Sequence, residues 1–136
     1  MTNVFQIQTL TRKIVKLVLI TTSLCLISCK KNQLGGDATI KGVVKHHSKI
    51  IANATVYIKF NSKDFPGDDL SLYDDKVQAD AQGEFEIKCY KGNYYLFGNG
   101  IDNQVLVNGG KVIGGAPVKI RNKENVTITL AVTEGD

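Results

Sequence analysis

Beyond residue 38, apolar and polar residues alternate with a period of two, which is the repeat of a strand that buries one face and wets the other. Glu84–Tyr90 sets Phe85, Ile87 and Cys89 against Glu84, Glu86, Lys88 and Tyr90. Thr39–Lys45 places Ile40, Gly42 and Val44 on one face, Ala54–Phe60 places Ala54, Val56, Ile58 and Phe60, and Val126–Val132 places Val126, Ile128, Leu130 and Val132. Asn93–Phe97 and Gln104–Val107 are denser apolar runs, as central strands require. Shorter strands are predicted at Lys76–Ala79, Lys111–Ile113 and Val118–Ile120. Asn108-Gly109-Gly110, between Val107 and Lys111, reads as a tight hairpin, because Asn and Gly accept the positive φ that such turns need. No segment in this part of the chain has an apolar stripe at helical spacing. The expected fold is all-β, a single sandwich of about seven to nine strands spanning residues 38–136.

The first 28 residues follow a different rule. Arg12, Lys13 and Lys16 precede an apolar stretch from Leu17 to Ile27, which closes on Ser28 and Cys29. Positive, apolar, then small is the order of a helical export signal. A permanent membrane span is excluded by length: at about 1.5 Å per residue the stretch covers about 16 Å, against about 30 Å of hydrocarbon. Leu26-Ile27-Ser28-Cys29 resembles the lipobox of bacterial lipoproteins. That resemblance implies cleavage between Ser28 and Cys29 and acylation of Cys29, two or three chains being what makes such an anchor stable. Residues 1–28 are then a cleaved leader and residues 29–37, CKKNQLGGD, the lipidated cysteine and a flexible tether. No Asp follows Cys29, which favours the outer membrane under the enterobacterial sorting pattern. With Cys25 discarded and Cys29 acylated, Cys89 is the remaining thiol and has no partner for a disulfide.

Charge narrows the function. Of 17 Lys and Arg, three precede Cys29 and no Asp or Glu does, so 14 basic residues face 13 acidic ones beyond it. A nearly neutral domain has no field to gather phosphates, and nucleic acid is not an expected partner.

Four short motifs give the strand order a family likeness. They are Gly42-Val43-Val44, Asn53-Ala54-Thr55-Val56, Asp80-Ala81-Gln82-Gly83-Glu84-Phe85 and Gly92-Asn93-Tyr94-Tyr95-Leu96. Together they resemble the carboxypeptidase regulatory-like domain, a transthyretin-type (prealbumin-like) β-sandwich, over roughly Thr39 to Leu130. The resemblance implies a rigid spacer or interaction module rather than an activity. Gly83 and Gly92 suit turn conformations closed to other residues.

Candidate chemistry is sparse. His46 and His47 are the only histidines. As neighbours in an extended chain they are expected to point to opposite faces, in a solvent-facing loop, and to make a poor chelating pair. Asp64, Asp68, Asp69, Asp74, Asp75 and Asp80 fall within one loop-rich stretch. Of these, Asp68, Asp69, Asp74 and Asp75 are the weak candidates for Ca²⁺, without an EF-hand pattern behind them. Cys89 belongs to an inner face and is expected to be an inert thiol. Tyr94 and Tyr95 are candidates for an exposed ligand surface.

Three function classes follow. The first is a non-catalytic, membrane-anchored envelope lipoprotein whose sandwich contacts another envelope protein or a glycan. The second is a carbohydrate or small-ligand binder working through the tyrosines, Tyr94 and Tyr95 among them, and the Asp-rich loop. The third, an enzyme, is disfavoured. Transthyretin-like hydroxyisourate hydrolases end in Tyr-Arg-Gly-Ser, whereas this chain ends Thr133-Glu134-Gly135-Asp136. Intradiol dioxygenases place two Tyr and two His on iron, and the adjacent histidines here do not match that arrangement. No cofactor is expected.

Overall fold

A computed structural model describes residues 30–135, so the expected leader helix and Cys29 lie outside the described residues. The domain is all-β. Eight strands run in chain order: β1 Leu34–His46, β2 Lys49–Ile50, β3 Thr55–Phe60, β4 Asp75–Gln78, β5 Glu84–Cys89, β6 Gly92–Ile101, β7 Lys111–Ile120 and β8 Asn125–Glu134. Among the described residues the only helical pieces are two three-residue 3₁₀ turns, Leu70–Leu72 and Asn108–Gly110.

The strands form two faces of one curled sheet. On one side β1 lies between antiparallel β5 and parallel β8, with β2 folded back against the end of β1. On the other side the order is β4-β3-β6-β7, all antiparallel. The sides join at a corner where Val112 and Ile113 of β7 pair with Glu134 and Thr133 of β8. Between them lie the residues that the alternation assigns inward, including Ile40, Val44, Val56, Ile58, Phe85, Ile87, Cys89, Leu130 and Val132, together with Leu96 of the dense run. Burying a side chain of that size is worth about 1.5–3 kcal/mol, so this shared interior is what favours the fold.

Several boundaries differ from the sequence reading. Gln104–Val107 is not a strand, and Asn108-Gly109-Gly110 does not join two strands directly. Asp102 turns the chain out of β6: its carboxylate accepts from Gln104 N (2.9 Å) and its carbonyl from Val105 N (3.0 Å). Asn108, Gly109 and Gly110 then take φ of 48°, 64° and 79° in succession, a curl rather than a two-residue turn. The apolar run thus pairs with no strand among the described residues: Val105 packs against the core, while Leu106 and Val107 are left outside. Lys111–Ile113 and Val118–Ile120 are the two ends of β7, continuous through Gly114-Gly115-Ala116-Pro117. A Cβ on Gly114 would come within 2.4 Å of the Ala131 carbonyl and one on Gly115 within 2.6 Å of the Leu96 carbonyl, so Gly114 allows β8 to approach and Gly115 allows β6 to do so.

The stretch read as a tether is partly built into the fold. β1 begins at Leu34, and Asn32 bridges the β5–β6 turn by donating its N–H to Lys91 O (3.0 Å) and accepting from Asn93 N (2.9 Å). This contact explains Gly92, where a Cβ would sit 2.0 Å from Asn32 Oδ1. Close approach, not a positive φ, is its requirement. Gly83 does have φ of 68°, in a turn where Asp80 Oδ1 accepts from both Gln82 N (2.9 Å) and Glu84 N (2.8 Å).

Gly83→Ala should lower the unfolding free energy by about 1–2 kcal/mol, the cost of a left-handed non-glycine residue, in a urea titration. An unchanged midpoint would contradict this account of the turn.

Candidate functional site

The two poles of the sandwich differ in chemistry. β1 runs from one to the other, and its 13 residues at about 3.3 Å each span about 40 Å. At the pole where the described chain begins, Lys31, Lys91, Lys119 and Arg121 line a shallow recess with Asn32, Asn61 and Asn93. At the far pole an open cleft of about 460 Å³ is lined by His46, His47, Lys49, Asp102, Leu106 and Glu134, among others.

The far pole is built by continuing the alternation of β1 one step further than Lys45. His46 then follows Ile40, Gly42 and Val44 onto the inner face, where it is 5% exposed. A histidine there needs a polar partner, and Asp102, 3% exposed, supplies it: His46 Nδ1 lies 2.9 Å from Asp102 Oδ2. The other oxygen, Oδ1, accepts from Lys49 Nζ, brought in by the β1–β2 turn, and from Gln104 N. These bonds, Lys49's first, hold the Asp102 carboxyl well below the usual carboxylate range. The same carboxylate raises the His46 pKa above its ordinary 6.5 against the opposing effect of burial.

The parallel β1–β8 register pairs His46 with Val132, so Glu134, two residues on, returns to the same face. Its Oε1 stands 3.4 Å from His46 Nε2, while that nitrogen makes no hydrogen bond among the described residues. Glu134 is held below the ordinary carboxyl pKa, first by its own backbone N–H and then by His46.

His47 corrects the sequence expectation. It is not in an extended run but at φ of 54°, at the first position of the two-residue turn between β1 and β2. That conformation folds its ring back beside His46, with centroids 4.4 Å apart. The pair was expected in a solvent-facing loop. One member instead closes the core, and both face the same cleft. Among the described residues, His46, His47 and Glu134 form the group of potential metal-binding side chains whose ligand atoms all lie within 4.8 Å of one another.

The aspartates proposed for calcium are engaged separately. Asp69 caps the Leu70–Leu72 turn by accepting from Ser71 N (2.9 Å), and Asp74 accepts from Phe60 N (2.7 Å) and Lys59 Nζ (3.1 Å). Asp75 accepts from Lys76 N (2.8 Å). Asp68, beside Asp69 in the same exposed loop, joins no cluster of ligand atoms among the described residues.

Tyr94 and Tyr95 also differ from expectation. Tyr94 is fully buried, its hydroxyl within 2.6 Å of Tyr90 O and 3.1 Å of Gln33 O, and burial raises its pKa. Tyr95, 8% exposed, faces the other side of β6 and lies under the 61–74 loop with Phe65 against it at 5.8 Å. Tyr73 from the same loop stacks on Phe97 at 5.4 Å, and burial pushes its pKa up to about 12. These rings form a second small apolar layer, and neither tyrosine is an exposed platform. Cys89 is fully buried, as its place in β5 implies, and burial raises its pKa.

Comparison with known proteins adds little to this geometry. No protein-family model matches the chain. No curated protein matches it either. Among solved structures it is similar to a DUF3823 family protein from Parabacteroides merdae, at 14% identity and a TM-score of 0.41, over 70% of this chain and 45% of that one. The chain therefore spans less than half the length of that protein.

The His46–Asp102 pair sets a pH dependence of stability. Asp102 contributes above its ordinary pKa of 3.8, and the contribution disappears as pH falls through the lowered folded value. His46 contributes fully below 6.5 and loses its share as pH rises through the raised folded value, with Lys49, His47 and Glu134 the other charged groups facing it. In chelator, the melting temperature should fall as pH climbs from about 5.5 to about 9, and His46→Gln should flatten that fall. A wild-type profile already flat over this range would contradict the pairing.

Proposed function

We propose that the chain is a lipid-anchored lipoprotein of the bacterial cell envelope, in the outer membrane, whose sandwich is a non-catalytic module that holds its far pole out for a protein partner. The polarity of the domain is the observation that carries this reading. The described chain enters at the pole lined by Lys31, Lys91, Lys119 and Arg121, only a residue beyond Cys29. A lipid on that cysteine would hold this basic pole against anionic headgroups, where each cation within a Debye length adds about 1 kcal/mol of attraction.

At the opposite pole the end of β6 and the loop that leaves it expose apolar side chains. Leu106 is 96% exposed, with Val107 and Ile101 also more than half exposed. Such side chains clustered on one loop are a recognition feature, since apolar contact is what most protein interfaces bury at their centre. The resemblance to carboxypeptidase regulatory-like domains supports the same role, that of a rigid carrier of loops. A glycan partner is less well supported, because Tyr94 and Tyr95 are covered.

Cys29→Ser should abolish acyl labelling and release the protein from membranes in fractionation, and retention of the variant in the membrane fraction would overturn the anchor. Leu106→Asp should leave the melting temperature nearly unchanged, a surface substitution costing within about 0.5 kcal/mol, while removing crosslinked partners recovered from intact cells. Undiminished crosslinking would place the partner surface elsewhere.

A further inference from the structure

We propose that His46, His47 and Glu134 at the far pole bind a divalent transition-metal ion of the zinc class, with Asp102 as the residue that orients His46. The starting point is a buried atom without a hydrogen bond, whose nearest partner, Glu134 Oε1, makes only an ion-pair contact at 3.4 Å. His46 is 95% buried, its Nδ1 is committed to Asp102, and Nε2 is left without a hydrogen bond among the described residues. Buried polar atoms are nearly always paired, so an orphan of this kind points to a missing ligand.

The distances favour a metal over a direct bond. Glu134 Oε1, at 3.4 Å and poorly aligned, makes no hydrogen bond with Nε2. Two ligands that each lie about 2.0–2.2 Å from a tetrahedral zinc ion are about 3.3–3.5 Å apart, however, so the observed gap is the edge of such a tetrahedron. His47 supplies the third corner. Its left-handed backbone turns the ring beside His46, and all three ligand atoms fall within 4.8 Å of one another.

The donor chemistry selects the ion. Two imidazoles and one carboxylate suit Zn²⁺, Cu²⁺ or Ni²⁺, whereas Ca²⁺ and Mg²⁺ require oxygen donors. Asp102 accepting from His46 Nδ1 fixes the tautomer with a lone pair on Nε2, which is the arrangement by which carboxylates support metal-bound histidines. Lys49 and Gln104 N in turn hold Asp102 in place. Three protein ligands leave a fourth position open, facing the cleft that Leu106 and Val107 line. A partner or small ligand could donate there.

The test uses the full-length chain, purified in detergent without a polyhistidine tag, stripped with EDTA and titrated with ZnCl₂ by calorimetry and thermal melting. One ion per chain and a raised melting temperature are expected. Because His46 is buried, the variants are His47→Ala and Glu134→Gln, both of exposed residues. Each should weaken zinc binding about tenfold or more while leaving the zinc-free melting temperature close to wild type. Absence of zinc binding by the wild type would overturn the site and leave the cluster as a simple ion pair. Equal binding by wild type and both variants would overturn it too, because the ion would then sit elsewhere. Neither result bears on the lipid anchor.

Discussion

The structure depends on the pairing of β1 along both edges. With β5 antiparallel on one side and β8 parallel on the other, β1 reaches from pole to pole with both its edges engaged. Its even-numbered residues, from Ala38 to His46, form the floor of the interior. The parallel partner has a particular consequence. Because β1 and β8 run in the same direction, their last residues arrive at the same pole, and period two turns His46 and Glu134 to the same face. An antiparallel β8 would have carried Glu134 to the basic pole instead. The far-pole cluster is therefore a product of topology and register rather than of any local motif.

A histidine on an inner face is stable only if its polarity is met, and the protein meets it with one aspartate at a strand exit. Asp102 performs two tasks through the same carboxylate. It receives the Gln104 amide, which turns the chain out of β6, and it receives His46 and Lys49, which ties that exit to the end of β1 and the start of β2. Through this one group, the shape of the Leu106 loop and the orientation of the imidazole are linked. A change at either should be felt by the other, since neighbours in one hydrogen-bond network do not act independently.

Much of the fold was legible because alternation is a direct image of burial. Phe85, Ile87 and Cys89, and likewise Leu130 and Val132, are buried as their spacing implies. Misreadings occurred where composition imitates another local structure. Gly114, Gly115 and Pro117 look like a break but lie within a single strand, where the two glycines allow close packing. Val105-Leu106-Val107 looks like a strand, but the Asp102 turn leads it away from the strands that flank β6. Tyr94 and Tyr95 look like a paired surface, yet adjacent strand residues face opposite sides, one the interior and one the 61–74 loop. The site was half legible. Extending the Ile40–Gly42–Val44 series by one step puts His46 inside, a signal present in the sequence. Asp102 and Glu134 gave no such sign, being one aspartate in a turn and one glutamate near the end, brought together only by pairings distant in sequence. His47 was hidden by its left-handed φ, which no neighbouring residue announces.

The two poles give the domain a direction, with cations where the chain enters and a histidine-containing cleft bordered by apolar loop residues where β1 ends. The reading of that far pole rests on the bond from His46 to Asp102. ¹⁵N-resolved NMR of the imidazole rings of the metal-free protein, recorded above the His46 pKa, tests it most directly. The account predicts a neutral His46 protonated at Nδ1, with a slowly exchanging proton coupled to a buried carboxylate and an unprotonated Nε2. A rapidly exchanging His46 proton with chemical shifts like those of exposed His47, or a proton resident on Nε2, would contradict it.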